Sequence, residues 1–142
     1  MKDRARELDP ALVAAYKATW FVVELPSGPV TFQVGGHPEG TLTGLQGRSL
    51  AVLTAHNPGM ERPGAASNQE AHERLRQSLI ARGCEFHEAV GQSPDGAHEE
   101  PSFGIVGITE DEARTLGEQF RQACVFYWDG EVGKLVWCGS SR

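Results

Sequence analysis

The stretch Leu50-Ala51-Val52-Leu53-Thr54-Ala55-His56-Asn57-Pro58-Gly59 decides how the rest of the chain is read. From Leu50 to Ala55 it is a short, nearly continuous apolar run, and Asn57-Pro58-Gly59 then stops it with turn chemistry. A run that short, bounded by turn signals, suits a strand better than a helix, and its lack of alternation means that neither face meets water. Residues 50–55 are therefore expected to form a central strand buried on both faces.

Upstream, residues 35–47 are rich in Gly, Thr and Pro and read as a loop. Before them, residues 20–25 are β-branched and aromatic, Pro26-Ser27-Gly28-Pro29 imposes a turn, and Val30, Phe32 and Val34 alternate with Thr31 and Gln33. That pattern is a hairpin with one half-solvated face. Pro10 suits the first turn of a short helix through Tyr16, because its fixed φ fits there and its missing N–H costs little. The charged lead, residues 1–9, is expected to be flexible.

Downstream, a Pro/Gly-rich loop runs to Ala66, and loops of such length in compact domains are usually functional or mobile. Ser67-Asn68-Gln69-Glu70 reads as a capping box that opens a helix with Ala71, Leu75, Leu79 and Ile80 as its apolar stripe. Arg82 suits the negative end of that helix, and Gly83 supplies a left-handed exit. Residues 84–90 read as a strand, 91–101 as a loop and 102–108 as a strand. Thr109 to Glu112 repeats the capping box, with Ile108 placed to staple onto Ala113 and with Ala113, Leu116, Gly117 and Phe120 facing inward. Residues 124–128, the turn Asp129-Gly130 and residues 134–138 form a closing hairpin.

Hairpins mixed with crossover helices argue for one α+β domain over residues 1–142, with a mixed or antiparallel sheet, two main capped helices and a short N-terminal helix. Size agrees, since a chain this long buries enough surface to need no staple. The formal charge of −6 repels phosphate backbones and anionic lipid heads, so nonspecific nucleic-acid binding is disfavoured. Arg74, Arg76 and Arg82 share a helix with Glu70 and Glu73, which makes a solvated mixed-charge face. Cys84, Cys124 and Cys138 form neither a redox pair nor a zinc pattern, and no run of apolar residues is long enough to span a bilayer. With no signal peptide at the charged start, a cytoplasmic protein with reduced thiols and no membrane partner is expected.

Three clusters carry chemistry, each with a plainer alternative. Asn57 sits where a buried strand ends and a long loop begins, a common ligand position, although Asn before Pro also closes simple turns. Asn68 would present its amide beside the N–H groups of a helix start, or share a capping role with Ser67. In His98-Glu99-Glu100-Pro101-Ser102 only one of the two carboxylates can point inward. Glu100 shares its side with Ser102 if the strand starts early, and Pro101 restricts it to an extended conformation; the alternative is an ordinary acidic surface loop. Gln119 and Gln122 lie late in a helix, and either line a pocket or make an exposed polar face with Glu118.

The well-known nucleophile, phosphate-loop, dinucleotide and zinc-helix signatures are missing, and the five histidines are scattered without ligand spacing, so no metal and no cofactor are expected. Cys124 reads as a small buried hydrophobe in an apolar strand.

The succession Thr54-Ala55-His56-Asn57-Pro58, Asn68 opening a helix, Glu100-Pro101-Ser102-Phe103, and Gln119-Phe120-Arg121-Gln122-Ala123 resembles a bacterial family known as domain of unknown function 3293. The order and intervals of the four pieces, over residues 16–137, carry the resemblance. It implies a small bacterial cytosolic protein with Asn57, Asn68, Glu100, Ser102 and Gln122 as matching polar positions, and brings no activity with it. The expectation is a polar pocket at the end of strand 50–55 that binds a small molecule or nucleoside-like ligand. Glu100 is its candidate catalytic carboxylate, and Asn57, Asn68, Ser102 and Gln122 are its ligand-binding groups. The alternative is a noncatalytic module that docks a protein partner through a hairpin edge or through residues 56–66.

Overall fold

A computed structural model describes residues 10–139, so the expectation for residues 1–9 lies outside the described part. The elements follow in the expected order: α1 (Pro10–Ala18), β1 (Trp20–Leu25), β2 (Gly28–Phe32), β3 (Leu50–Leu53), α2 (Ala65–Ala81), β4 (Glu85–Gln92), β5 (Glu99–Val106), α3 (Glu110–Gln119), β6 (Cys124–Trp128) and β7 (Gly133–Trp137). The seven strands make one sheet in the order β2-β1-β4-β5-β3-β6-β7. Every neighbouring pair is antiparallel, which settles the choice between a mixed and an antiparallel sheet. The fold is α+β.

Strand β3 is buried along its whole length, as its unbroken apolar run requires. Ala51 and Leu53 enter a core with Ala71, Leu75 and Leu79 of α2 and with Ala113 and Leu116 of α3. Leu50 and Val52 enter a second core that takes no residue from α2 or α3. The sheet covers that second face by curling over itself. Phe21 of β1 stacks on Phe126 of β6 at 4.7 Å, and Phe32 of β2 lies 5.6 Å from Trp128. Gly35 N–H donates to the Gly133 carbonyl at 3.1 Å, which ties the ends of the two edge strands together. A Cβ at Gly133 would stand 2.5 Å from the Phe126 ring, so only glycine lets β7 approach this closely. The result is a half-barrel with an aromatic interior.

Helix α2 buries Ala71, Leu75 and Leu79 as expected, whereas Ile80, one residue and about 100° further round, is 54% exposed. Its start differs from the expectation. The helix begins at Ala65 behind Gly64, which has no side chain to cap it, and the Ser67 to Glu70 capping box does not form. Starting at Ala65 puts Ser67 inside the first turn, where Asn68 N–H already donates to the Gly64 carbonyl, so Ser67 cannot act as the cap; Asn68 Oδ1 instead accepts the backbone N–H of Asn57 at 2.8 Å and serves the preceding loop. At the other end Gly83 is left-handed, and Cys84 N–H and Gly83 N–H donate to the carbonyls of Leu79 and Ile80. Helix α3 forms its capping box in full, Glu112 N–H donating to Thr109 Oγ1 at 3.1 Å and Thr109 N–H to Glu112 Oε1 at 2.9 Å.

Helix α3 ends with the same double bond as α2, Gln122 N–H to Gly117 and Arg121 N–H to Glu118, but with Arg121 in the left-handed position at φ 57°. This removes Gln122 from the helical face it was expected to share with Glu118 and Gln119. An L side chain in that conformation costs about 1–2 kcal/mol. Arg121→Gly is therefore expected to raise Tm by about 3 °C, the shift that ~1 kcal/mol gives a domain of this size. A calorimetric scan showing a lower Tm would mean that the exposed Arg121–Glu61 pair at 3.9 Å outweighs the backbone strain.

Candidate functional site

Strand β5 begins at Glu99, three residues before the expected start, so Glu99 and Glu100 belong to a strand and the preceding loop shrinks to residues 93–98. Alternation along β5 puts Glu100 and Ser102 on one face. The pairs Leu53–Phe103 and Val52–Phe126 carry that face across the sheet, placing Thr54 and Cys124 next to Ser102 where β3 ends. There the interior of the half-barrel opens into a cleft of about 650 Å³. Asn57, Asn68, Glu100, Ser102 and Gln122 all line it. Four chain segments thus bring all five expected residues to one place.

Hydrogen bonds hold the polar wall. Asn57 sits at φ 50°, a left-handed conformation that asparagine tolerates better than most residues. Its Nδ2 donates to Glu100 Oε2 at 3.1 Å, and its Oδ1 accepts from Asn68 Nδ2 at 3.0 Å. Gln122 Nε2 donates to the carbonyls of His56 and Phe120 at 3.0 and 3.2 Å. Ser102 Oγ donates to the Glu100 carbonyl, and Thr54 Oγ1 to that of Pro101. Ser102 and Gln122 are almost fully buried, at 3% and 7% exposure, so neither is surface decoration.

Burial pushes the Glu100 carboxyl above the usual range, and this outweighs the bond from Asn57 and the charge of Arg62, both of which pull it down. A carboxyl raised in the fold gives stability that is complete below its unfolded value and is lost as pH rises through the folded value. Glu100→Gln keeps an oxygen for Asn57 Nδ2 but never ionises. Thermal melts should show the two proteins close together at pH 4, with the Gln variant gaining on the wild type toward pH 7.5. A gap that shrinks over that range would mean that the ionised form is the favoured one in the fold.

Sequence alone did not bring in Tyr16, Gly91 or Arg62, which also line the cleft, as does His56 of the first candidate stretch. Tyr16 packs edge-on against Trp137 at 6.0 Å, and burial, with Cys124 and Glu100 nearby, raises its phenol so that it stays protonated. Gly91 pairs directly with Glu100, and a Cβ there would meet Thr19 and Phe21 at 3.5 and 3.8 Å inside the cleft. The β4–β5 register is the signal that finds it. Behind the wall, the His72 ring stacks on Phe103 at 4.3 Å, and burial lowers both His72 and His56, which meet edge-on at 5.8 Å. Among the described residues no three His, Cys, Asp or Glu side chains gather to hold a metal ion. Cys84 and Cys124 are free, and the Cys124 thiol in the cleft is raised by burial, which makes it a poor nucleophile.

No described helix is long and apolar enough to cross a membrane. Neither curated proteins nor solved structures gave a match. A family model described as protein of unknown function (DUF3293) matches residues 53–125, the segment that runs from the end of β3 through α2, β4, β5 and α3 into β6 and carries Asn57, Asn68, Glu100, Ser102 and Gln122. The chain belongs to the DUF3293 family.

Proposed function

We propose that the cleft binds a small polar molecule of about nucleoside size, with Glu100 as the group that meets it and exchanges a proton with it. The observation that carries this reading is the convergence of Asn57, Asn68, Glu100, Ser102 and Gln122 on one cavity. About 650 Å³ falls within the ~300–1,000 Å³ of small-molecule sites, and a few oriented polar groups around an apolar floor, here Phe21, Val52 and Phe126, is their common make-up. A half-buried carboxyl raised above its usual range is better matched to proton exchange than an ordinary surface carboxylate. Docking of a protein through residues 56–66 has less support, because hydrogen bonds from Asn68, Glu100 and Gln122 tie the start of that loop into the cleft wall. The resemblance and the free thiols of Cys84 and Cys124 favour the bacterial cytoplasm as the compartment.

A thermal-shift screen of nucleosides, nucleobases and small polar metabolites tests the reading, since a ligand of the folded state raises Tm by mass action. Gly91→Leu, which fills the cleft beside Glu100, should abolish the shift given by a true ligand while circular dichroism stays unchanged. A hit that survives this substitution binds elsewhere and overturns the reading.

A further inference from the structure

Among the described residues, two acceptors of the hydrogen-bonded wall are left without a donor, one on Gln122 and one on Glu100. Gln122 spends both Nε2 hydrogens on the carbonyls of His56 and Phe120, which fixes the amide and leaves Oε1 with no donor among the described residues. This side chain is 7% exposed, and the part that remains open belongs to the cleft. Glu100 accepts the Asn57 amide on Oε2, and its Oε1 likewise has no donor among the described residues. The two side chains are tied to consecutive residues of one loop, Gln122 to His56 and Glu100 to Asn57, which holds both groups at one end of the cavity they line.

The adjacent hydroxyls do not fill the gap. Ser102 and Thr54 direct their protons to backbone carbonyls at 3.0 and 2.8 Å. Arg62 is the one guanidinium among the described lining residues; it is exposed and makes no ion pair with Glu100. Two half-dry acceptors, one of them a carboxylate, are costly unless a donor arrives, and a charged donor repays the most.

Building on the small-molecule reading, we propose that the ligand places a cationic nitrogen, an ammonium or amidinium, on Glu100 Oε1 and Gln122 Oε1, with its body in the cleft. The class is thus a small organic cation. An amidinium suits the pair of acceptors because its N–H groups fan out within one plane.

Three isosteric probes separate the charges: benzamidinium, neutral benzamide and anionic benzoate, titrated calorimetrically into the full chain with the nucleoside panel as a further arm. Benzamidinium is expected to bind at least tenfold more tightly than benzamide, and benzoate not at all. Glu100→Gln should lose at least tenfold for benzamidinium, and its binding to the wild type should weaken as pH falls and Glu100 takes up its proton. Gly91→Leu, which leaves both acceptors in place, should block it as well. Equal binding of benzamide or benzoate, or a pH-independent constant, overturns the cation assignment. If nucleosides bind in a Gly91→Leu-sensitive way and benzamidinium does not, the assignment fails while the small-molecule reading stands. If nothing in either set binds, both fall.

Discussion

Phe126→Ala is expected to cost about 3–5 kcal/mol, a large share of the ~5–15 kcal/mol that holds a domain folded. Phe126 is 1% exposed and is the contact through which the curled sheet closes, stacked on Phe21 at 4.7 Å and tilted against Phe32 at 5.8 Å. Gly133 of β7 lies against the same ring, so β7 cannot follow the truncated side chain inward without giving up its strand pairing. A cavity therefore remains, and residual cavity volume is what makes such substitutions expensive. Leu75→Ala, on the helix-covered face, should cost ~2–5 kcal/mol for the same reason but leave the cleft intact. Urea unfolding measures both, read as a lower midpoint at unchanged slope. A loss below ~1 kcal/mol for Phe126→Ala would mean that the two halves of the sheet do not pack on each other as described.

Much of this architecture is legible in the chain because local signals agree with one another. The unbroken run Leu50–Leu53 announces a strand covered on both sides, and the Thr109–Glu112 box and Gly83 mark helix ends that form as read. The errors fall where a side chain has a distant partner. Ser67 and Glu70 have the spacing of a cap, yet Asn68 is drawn to Asn57 and the helix starts earlier. Gln122 follows a helical pattern, yet Arg121 turns the chain and buries it, and nothing in the residue type of an arginine announces a left-handed φ. Glu100 was readable because alternation and Pro101 constrain it locally, and Ser102 followed from the same alternation. Gly91 was not, since strand order and register bring it to the cleft and local pattern encodes neither, and Tyr16 was not, since it reaches the cleft from α1. The curl of the sheet was equally hidden, for it depends on Phe21 meeting Phe126 across more than a hundred residues.

Asn57→Ala is expected to destabilise by about 2–4 kcal/mol, from two separable causes. The first is lost pairing. The side chain joins α2 to β5, taking a bond from Asn68 Nδ2 and giving one to Glu100 Oε2, and its removal strands two half-buried partners. The second is conformational, because alanine at φ 50° carries a strain that asparagine bears more easily. Asn57→Gly tells them apart: it relieves the backbone but loses the same pairing, so it should recover about 1 kcal/mol of the alanine deficit and no more. Asn68→Ala should cost ~1–3 kcal/mol by leaving the Asn57 N–H without an acceptor. In the Asn57→Gly/Asn68→Ala cycle the pair should couple by ~0.5–3 kcal/mol, since each side chain bonds the other's residue. With Asn57 gone, Glu100 loses the donor that orients Oε2 and favours its charge, so its carboxyl should titrate higher still. Side-chain carboxyl NMR of the Asn57→Gly variant reads that shift. Zero coupling together with an unmoved Glu100 would mean that the two amides only close a loop and take no part in setting the carboxylate.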